Sequence, residues 1–227
     1  LLTEEECLSV DFGNDTGKVA YEKIYNTRFQ LLRRAFERAD LRADSEYKAF
    51  VGENEQWLKD YAMYMAIKDS LKGVSWIEWG EDIRLRKPKA MARYEKEFAD
   101  DIAFYCYQQY LFSKQWRALK DYANKKGISI VGDIPIYVAF DSADTWANPE
   151  LFWLDEANVP IEVAGCPPDA FSATGQLWGN PLYKWAYHEE TGFAWWIRRL
   201  SHCFDIYDIV RIDHFRGFDE YWAIPYK

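Results

Sequence analysis

An α/β fold with a parallel sheet in its second half is what this sequence predicts, and three observations carry that expectation. Residues 1–127 keep a helical period almost throughout. Two short β-branched runs, Ile128-Ser129-Ile130-Val131 and Ile209-Val210-Arg211-Ile212, lie far apart, with a long excursion and a helical segment between them. Strand, excursion, helix, strand is a βαβ unit, whose strands run parallel. Both runs lead into an aspartate, Asp133 and Asp213. Ligands of parallel α/β folds gather at the carboxyl ends of strands, so both acids are candidates for chemistry.

Taken in order, Ile24, Tyr25, Phe29, Leu32, Phe36 and Ala39 recur at helical spacing from Tyr21 onward. A second stretch runs through Trp57, Leu58, Tyr61, Met65 and Lys68 and ends near Gly73. A third begins at Pro88, suited to the first turn of a helix, and stops at Gly127, suited to the position after a helix end. It reads as one helix, or as two with the break near Ser113. From residue 128 the texture changes to a short buried strand entering Gly132-Asp133. A hairpin is expected from 151–154 and 159–163, turning through Asp155-Glu156-Ala157-Asn158. Residues 165–181, rich in Gly, Pro and aromatics, read as a loop. A helix over about 189–204 then precedes the second buried strand, which ends at Asp213.

Composition narrows the function classes. The chain has 227 residues, and 28 basic against 37 acidic side chains give a net charge of −9. That field repels phosphate backbones. The densest basic stretch, Arg84, Arg86, Lys87 and Lys89, reads as a solvated helix entry, so no nucleic-acid partner is expected. No apolar run approaches the roughly 18 residues needed to span a bilayer, and no leader pattern is visible, so no membrane partner is expected either. The opening Leu1-Leu2-Thr3 reads as part of something longer. Cys7, Cys106, Cys166 and Cys203 show neither a CxxC pair nor zinc spacing, which points to a reducing cytoplasm and to no metal. No cofactor motif stands out. The segment 13–18 is one residue short of a phosphate loop, and His188-Glu189-Glu190 lacks the second histidine of a zinc-protease helix. With 14 Phe, 11 Trp and 16 Tyr, many beside loop-forming residues, a sugar ligand stacking on rings enters as a first candidate.

The residues that bear chemistry cluster in the second half. Strand side chains alternate faces, so Arg211 and Asp213 point the same way. A guanidinium beside a carboxylate favours the ionised form, which a glycosyl nucleophile at a strand end requires. The same pair could instead be a structural clasp closing the strand, and Asp133 could merely cap a loop amide. The stretch 165–181 exceeds the length at which loops are usually plain connections and carries Phe171 and Trp178 between prolines. It suits a binding lid, or else a loop packed only on itself.

The motifs Gly132-Asp133-Ile134-Pro135-Ile136-Tyr137-Val138, Asp141-Ser142-Ala143-Asp144, Pro167-Pro168-Asp169, 175–183 (GQLWGNPLY) and Arg211-Ile212-Asp213-His214-Phe215-Arg216-Gly217 stand in this order. Together they resemble the 4-α-glucanotransferase (amylomaltase, disproportionating enzyme) family, family 77 of the glycoside hydrolases. The resemblance implies part of a (β/α)8 TIM barrel of the α-amylase clan. Residues 128–133 would lie in its third strand and 208–213 in its fourth, with 1–127 as a mainly helical insertion and 128–227 carrying the barrel segments and the substrate loop 165–181. It implies Asp213 as catalytic nucleophile and Arg211 as the arginine that orients it. His214 and Asp133 would contact the sugar where the bond is cut, while Asp169, Phe171, Gln176 and Trp178 would belong to the loop over the glucan chain. Ala170 stands where some members carry a tyrosine.

The implied activity is transfer of α-1,4-glucan segments between maltooligosaccharides by a retaining double displacement, without cofactor or metal. The acid/base carboxylate would come from elsewhere in a longer enzyme, leaving this stretch alone inactive. A non-catalytic glucan-binding segment and a glucan hydrolase of the same clan remain the competing readings.

Overall fold

The computed structural model describes residues 1–226. Its first half is a run of helices: α1 (Glu4–Leu8), α2 (Tyr21–Glu37), α3 (Ser45–Glu53), α4 (Glu55–Ser70), α5 (Glu81–Arg84), α6 (Pro88–Glu97) and α7 (Ala99–Lys125). The ends carry local signals. Thr3 and Glu6 form a reciprocal capping box on α1, and the Asp44 side chain accepts from the Tyr47 amide at the start of α3. Pro88 opens α6 as expected. Gly127, at φ +77°, lies just beyond α7; its N–H donates to the Asn124 carbonyl while that of Ile128 donates to the Ala123 carbonyl. This reversed pair of bonds closes the helix.

The third helical stretch is two helices, but the break falls at Phe98 and not near Ser113, which lies inside α7. Phe98 closes α6 through its N–H to Tyr94 and opens α7 by accepting from Ile102. Its ring packs with Tyr94 and Ile102 against the buried core, so tertiary packing sets the break where no Gly or Pro marks it. At the centre of this half, α4 is apolar on more than one face. Leu58, Ala62 and Ala66 pack with Tyr105 and Cys106 of α7, whereas Met63, Tyr64 and Ile67 pack with Trp76, Trp79, Ile83 and Trp146. α4 is thus buried on two faces, with Glu55, Gln56 and Lys59 left exposed.

The second half contains β1 (Val131–Pro135), α8 (Ala143–Ala147), β2 (Glu162–Cys166), β3 (Gln176–Pro181), α9 (Trp185–Glu190), α10 (Ala194–Ile206), β4 (Ile209–Asp213) and β5 (Trp222–Pro225). β1 and β4 pair in parallel, with Asp133 opposite Arg211 and Pro135 opposite Asp213. A separate antiparallel sheet has the order β3-β2-β5.

Several expectations need correction. β1 begins at Val131, three residues later than the run 128–131 implied. Neither parallel strand is a buried strand: Val131 is 63% and Ile209 54% exposed, because the sheet has two strands among the described residues and leaves one side of each uncovered. The 151–163 hairpin turns at Asp155 as expected, its carboxylate accepting from the Ala157 and Val159 amides. Its arms, however, join through a single bridge, Leu154 to Pro160, while Phe152 bridges instead to Tyr183 beyond β3. The stretch 165–181 is loop over 167–175, as expected, but its two ends belong to the β2–β3 hairpin. The expected 189–204 helix is α9 and α10, interrupted at Gly192 and Phe193, both left-handed. β5 had no sequence signal. No helix among the described residues is long and apolar enough to cross a membrane.

The two halves meet at α8. Trp146, fully buried, donates from Nε1 to the Ile83 carbonyl at 3.1 Å and lies under the Arg86 guanidinium. Next to it Asp141 accepts from Tyr64 at 2.6 Å, forms an ion pair with Lys68 and accepts the Trp76 amide at 3.3 Å. The core of the second half is Ile136, Tyr137, Phe152, Leu182, Tyr183, Trp195 and Trp196.

Candidate active site

β1 runs on to Pro135, so Asp133 lies at mid-strand and not at the strand end expected; parallel register sets it against Arg211, also mid-strand, with Asp213 at the end of β4. Arg211 donates from Nη2 to Asp213 Oδ1 at 2.5 Å and lies with Nη1 3.4 Å from Asp133 Oδ2. Alternation puts Arg211 and Asp213 on one face of β4, and the Asp133–Arg211 rung brings the third charge alongside. The hydrogen bond to Asp213, then the Asp133 charge, raise the guanidinium above its ordinary value. All three side chains are more than half exposed, so the cluster is an open surface.

His214 follows at once, in the left-handed region at φ +53°. Its ring lies 4.9 Å from that of Trp178, edge to face, and 6.3 Å from that of Tyr137. Trp178 in turn donates from Nε1 to Gln176 Oε1 at 2.9 Å. Thus Asp133, Arg211, Asp213, His214, Trp178 and Gln176 form one chain of contacts running from the strand ends onto the β2–β3 hairpin.

Asp169 and Phe171 lie apart from it. Asp169 Oδ1 accepts the Ser172 and Phe171 amides at 2.8 and 2.9 Å, bonds that hold its carboxyl below the usual range. The Cys166 thiol donates to its other oxygen at 3.7 Å and is itself pushed up by desolvation, then by the Asp169 charge. Asp169 therefore organises the hairpin tip. Phe171, 96% exposed, projects from that tip. Among the described residues, no hydrogen bond, ion pair or ring contact joins either one to the strand-end cluster.

Several side chains that fix this end of the fold were not singled out from sequence. Arg199 of α10 donates to the Pro135 carbonyl at 2.6 Å and the Ile136 carbonyl at 3.0 Å, and the Tyr183 hydroxyl also donates to Ile136, at 2.7 Å. Asn180 holds the Val138 carbonyl at 2.8 Å. These bonds tie down the backbone leaving β1, where Tyr137 sits with its hydroxyl pushed up to about 12 by burial. Tyr137, Asn180 and Tyr183 stand inside motifs the sequence displays. Arg199 has only its position after the Trp195-Trp196 pair as a signal, and both rings lie beneath its guanidinium.

Two concave spaces, of about 490 and 610 Å3, lie on the helical half and away from this cluster. Among the described residues, no group of three or more His, Cys, Asp or Glu side chains is arranged to hold a metal ion.

The family model described as 4-alpha-glucanotransferase matches residues 1–227. The chain belongs to this family. A 4-alpha-glucanotransferase of Clostridium butyricum is 44% identical over 227 residues, covering 100% of this chain and 47% of that protein. One from Streptococcus pneumoniae serotype 4 is 49% identical over 230 residues, covering 99% of this chain and 45% of its own length. The chain thus spans about half the length of the curated 4-alpha-glucanotransferases it matches. Among solved structures, an amylomaltase from Streptococcus agalactiae in complex with acarbose matches with a TM-score of 0.93 at 41% identity, covering 100% of this chain and 46% of that one. The mixed α/β architecture is therefore shared with an amylomaltase solved in complex with acarbose.

Proposed function

We propose that the strand-end cluster is part of the active site of an enzyme that transfers α-1,4-glucan segments between maltooligosaccharides. The observation that carries this reading is Arg211 of β4 held between Asp133, on the paired parallel strand, and Asp213 at the carboxyl end of β4. In it, β1 and β4 are the third and fourth strands of a (β/α)8 barrel, 1–127 is a helical insertion, and 128–227 carries the barrel segments.

Asp213 attacks the anomeric carbon as the glycosidic C–O bond breaks, and the leaving oxygen takes a proton from a carboxylic acid. A β-linked glucosyl-enzyme results. The 4-hydroxyl of an acceptor sugar then displaces Asp213 while its proton passes to the same acid/base group, restoring the α-linkage. Arg211 holds the Asp213 carboxylate in place through its 2.5 Å hydrogen bond. Asp133 and His214 contact the sugar at the cleaved bond, and Trp178, Gln176, Phe171 and Asp169 guide the chain over it. Excluding water at this step favours transfer over hydrolysis.

A retaining displacement needs a second carboxyl group about 5 Å from the first, acting as acid and then base. Asp133 already shares one guanidinium with Asp213, and the resemblance gives it a sugar contact instead. The acid/base group is supplied from outside residues 1–227, and this stretch alone is inactive. A cytoplasmic location and the absence of any cofactor belong to the same reading.

The test grafts residues 1–227 in place of the matching segment of the Clostridium butyricum relative. Incubated with maltotriose, the graft is expected to give glucose and a ladder of longer glucans, and the Asp213→Asn graft none. A ladder that persists in Asp213→Asn, or one made by the 227-residue chain alone, contradicts the proposal.

A further inference from the structure

Besides the groups already assigned roles, the site contains an unusual piece of backbone. His214 occupies the left-handed region, which histidine enters more readily than most non-glycine residues. Two neighbours bear on where its ring then lies. On one side, the Tyr137 ring lies 6.3 Å from the imidazole and 6.3 Å from the Trp178 ring, and is itself stacked on Tyr183 at 6.0 Å. On the other, Gly217 leaves the space into which the imidazole settles. A methyl group there would lie 2.9 Å from Ile136 Cδ1, 3.0 Å from His214 Cδ2 and 3.3 Å from the Tyr137 hydroxyl.

Among the described residues, the buried Tyr137 hydroxyl makes no hydrogen bond. What the side chain supplies is a flat, rigid ring wedged between Tyr183 and the His214–Trp178 pair. The carbonyl before it is clamped by both Tyr183 and Arg199, which removes freedom from the wedge itself.

We infer that Tyr137 and Gly217 are positioning residues that hold the His214 imidazole against Trp178 and thereby set the gap between the β2–β3 hairpin and the Asp213 end of β4. Neither touches substrate in this account. Both act through His214, and the benefit to glucan binding rests on the proposed function above.

The chain contains three histidines, His188, His202 and His214, so imidazole signals in an NMR spectrum of the 13C- and 15N-labelled chain are few enough to assign. The His214–Trp178 nuclear Overhauser contact reports positioning. The contact of His202 with Trp57, whose rings are 5.6 Å apart, reports folding of α10 on α4. Tyr137→Phe keeps the ring and is expected to retain both contacts, with maltotriose affinity within twofold of the parent. Tyr137→Leu and Gly217→Ala are expected to lose the His214–Trp178 contact, keep the His202–Trp57 contact and bind maltotriose at least tenfold more weakly.

Retention of the His214–Trp178 contact in either variant overturns the inference. So does loss of the His202–Trp57 contact, which would make the residue part of the core. Absence of any His214 response to maltotriose in the parent chain overturns the glucan reading alone, since the Overhauser contacts are measured without sugar.

Discussion

The helical half and the strand-end half are built to opposite specifications. Around α4, the side chains of Leu58, Ala62, Ile67, Trp76 and Ile83 are sealed from solvent on every side. On β1 and β4, the charged side chains of Asp133, Arg211 and Asp213 are all more than half exposed, and Val131 and Ile209 are uncovered at the strand starts. The candidate chemistry thus lies on an open surface, while the packing lies around α4 and in the second half's own core, the two halves joined at Asp141 and Trp146. The lesson is mechanical: Arg199, Tyr183 and Asn180 fix the backbone just after β1, the helical half holds the segment at Asp141 and Trp146, and charges and rings are displayed on that fixed base.

The strongest way to break this picture is at the joint. Trp146→Ala removes a fully buried indole that bonds to Ile83, and about 3–5 kcal/mol of stability is expected to go with it. Thermal unfolding followed by far-ultraviolet circular dichroism measures it. A loss under about 1 kcal/mol would mean that α8 does not anchor the two halves.

Asp141→Ala comes next, leaving the Tyr64 hydroxyl and the Trp76 amide without their acceptor. About 1–3 kcal/mol is expected, toward the lower end because Asp141 remains in partial contact with solvent. Burial works to raise this carboxyl, but the Lys68, Tyr64 and Trp76 bonds outweigh it and hold it below its ordinary value. Since the native value is the lower one, the contribution is complete above about pH 4, where the unfolded carboxyl titrates, and is lost as pH falls through the native value. Unfolding midpoints measured down that range are expected to fall less steeply for Asp141→Asn than for the parent. Parallel curves would remove Asp141 from the acid response.

The smallest effect on stability belongs to the tip of the hairpin. Phe171→Ala deletes a ring that is 96% exposed and is expected to shift stability by no more than about 0.5 kcal/mol while weakening maltotriose binding. Isothermal titration beside the melting curve separates the two. A clear loss of stability would show that the tip is packed and that the contrast between the halves is less sharp than drawn.

What could be read in the sequence follows the same division. Helices with strong local signals were legible: the period from Tyr21, the proline at the start of α6 and the glycine closing α7. The break at Phe98 was not, since packing makes it and no local residue announces it. β4 was read to the residue at its end, and the Arg211–Asp213 contact follows from alternation alone. The β2–β3 hairpin was taken for loop because glycines stand where its side-chain period should show. Gly165 is one of them: a Cβ there would come within 2.6 Å of the Gln176 carbonyl and 2.4 Å of Ile224 Cδ1, so close strand approach erases the alternation. The exposure of Val131 and Ile209 was missed for another reason. β-branched residues read as buried whatever covers them, and cover is a tertiary property. Within the candidate site, the family motifs supplied His214 and Gln176, whereas Arg199 acts through backbone carbonyls, an interaction with no sequence pattern.

The central claim is that Asp213 forms a covalent bond to glucose. Peptide mass spectrometry of the grafted enzyme, quenched in acid during turnover of an α-maltosyl fluoride donor, tests it most directly. The account predicts a glycosyl adduct on the peptide containing Asp213, absent in Asp213→Asn. An adduct on Asp133, or glucan transfer that proceeds at full rate in Asp213→Asn, would contradict it.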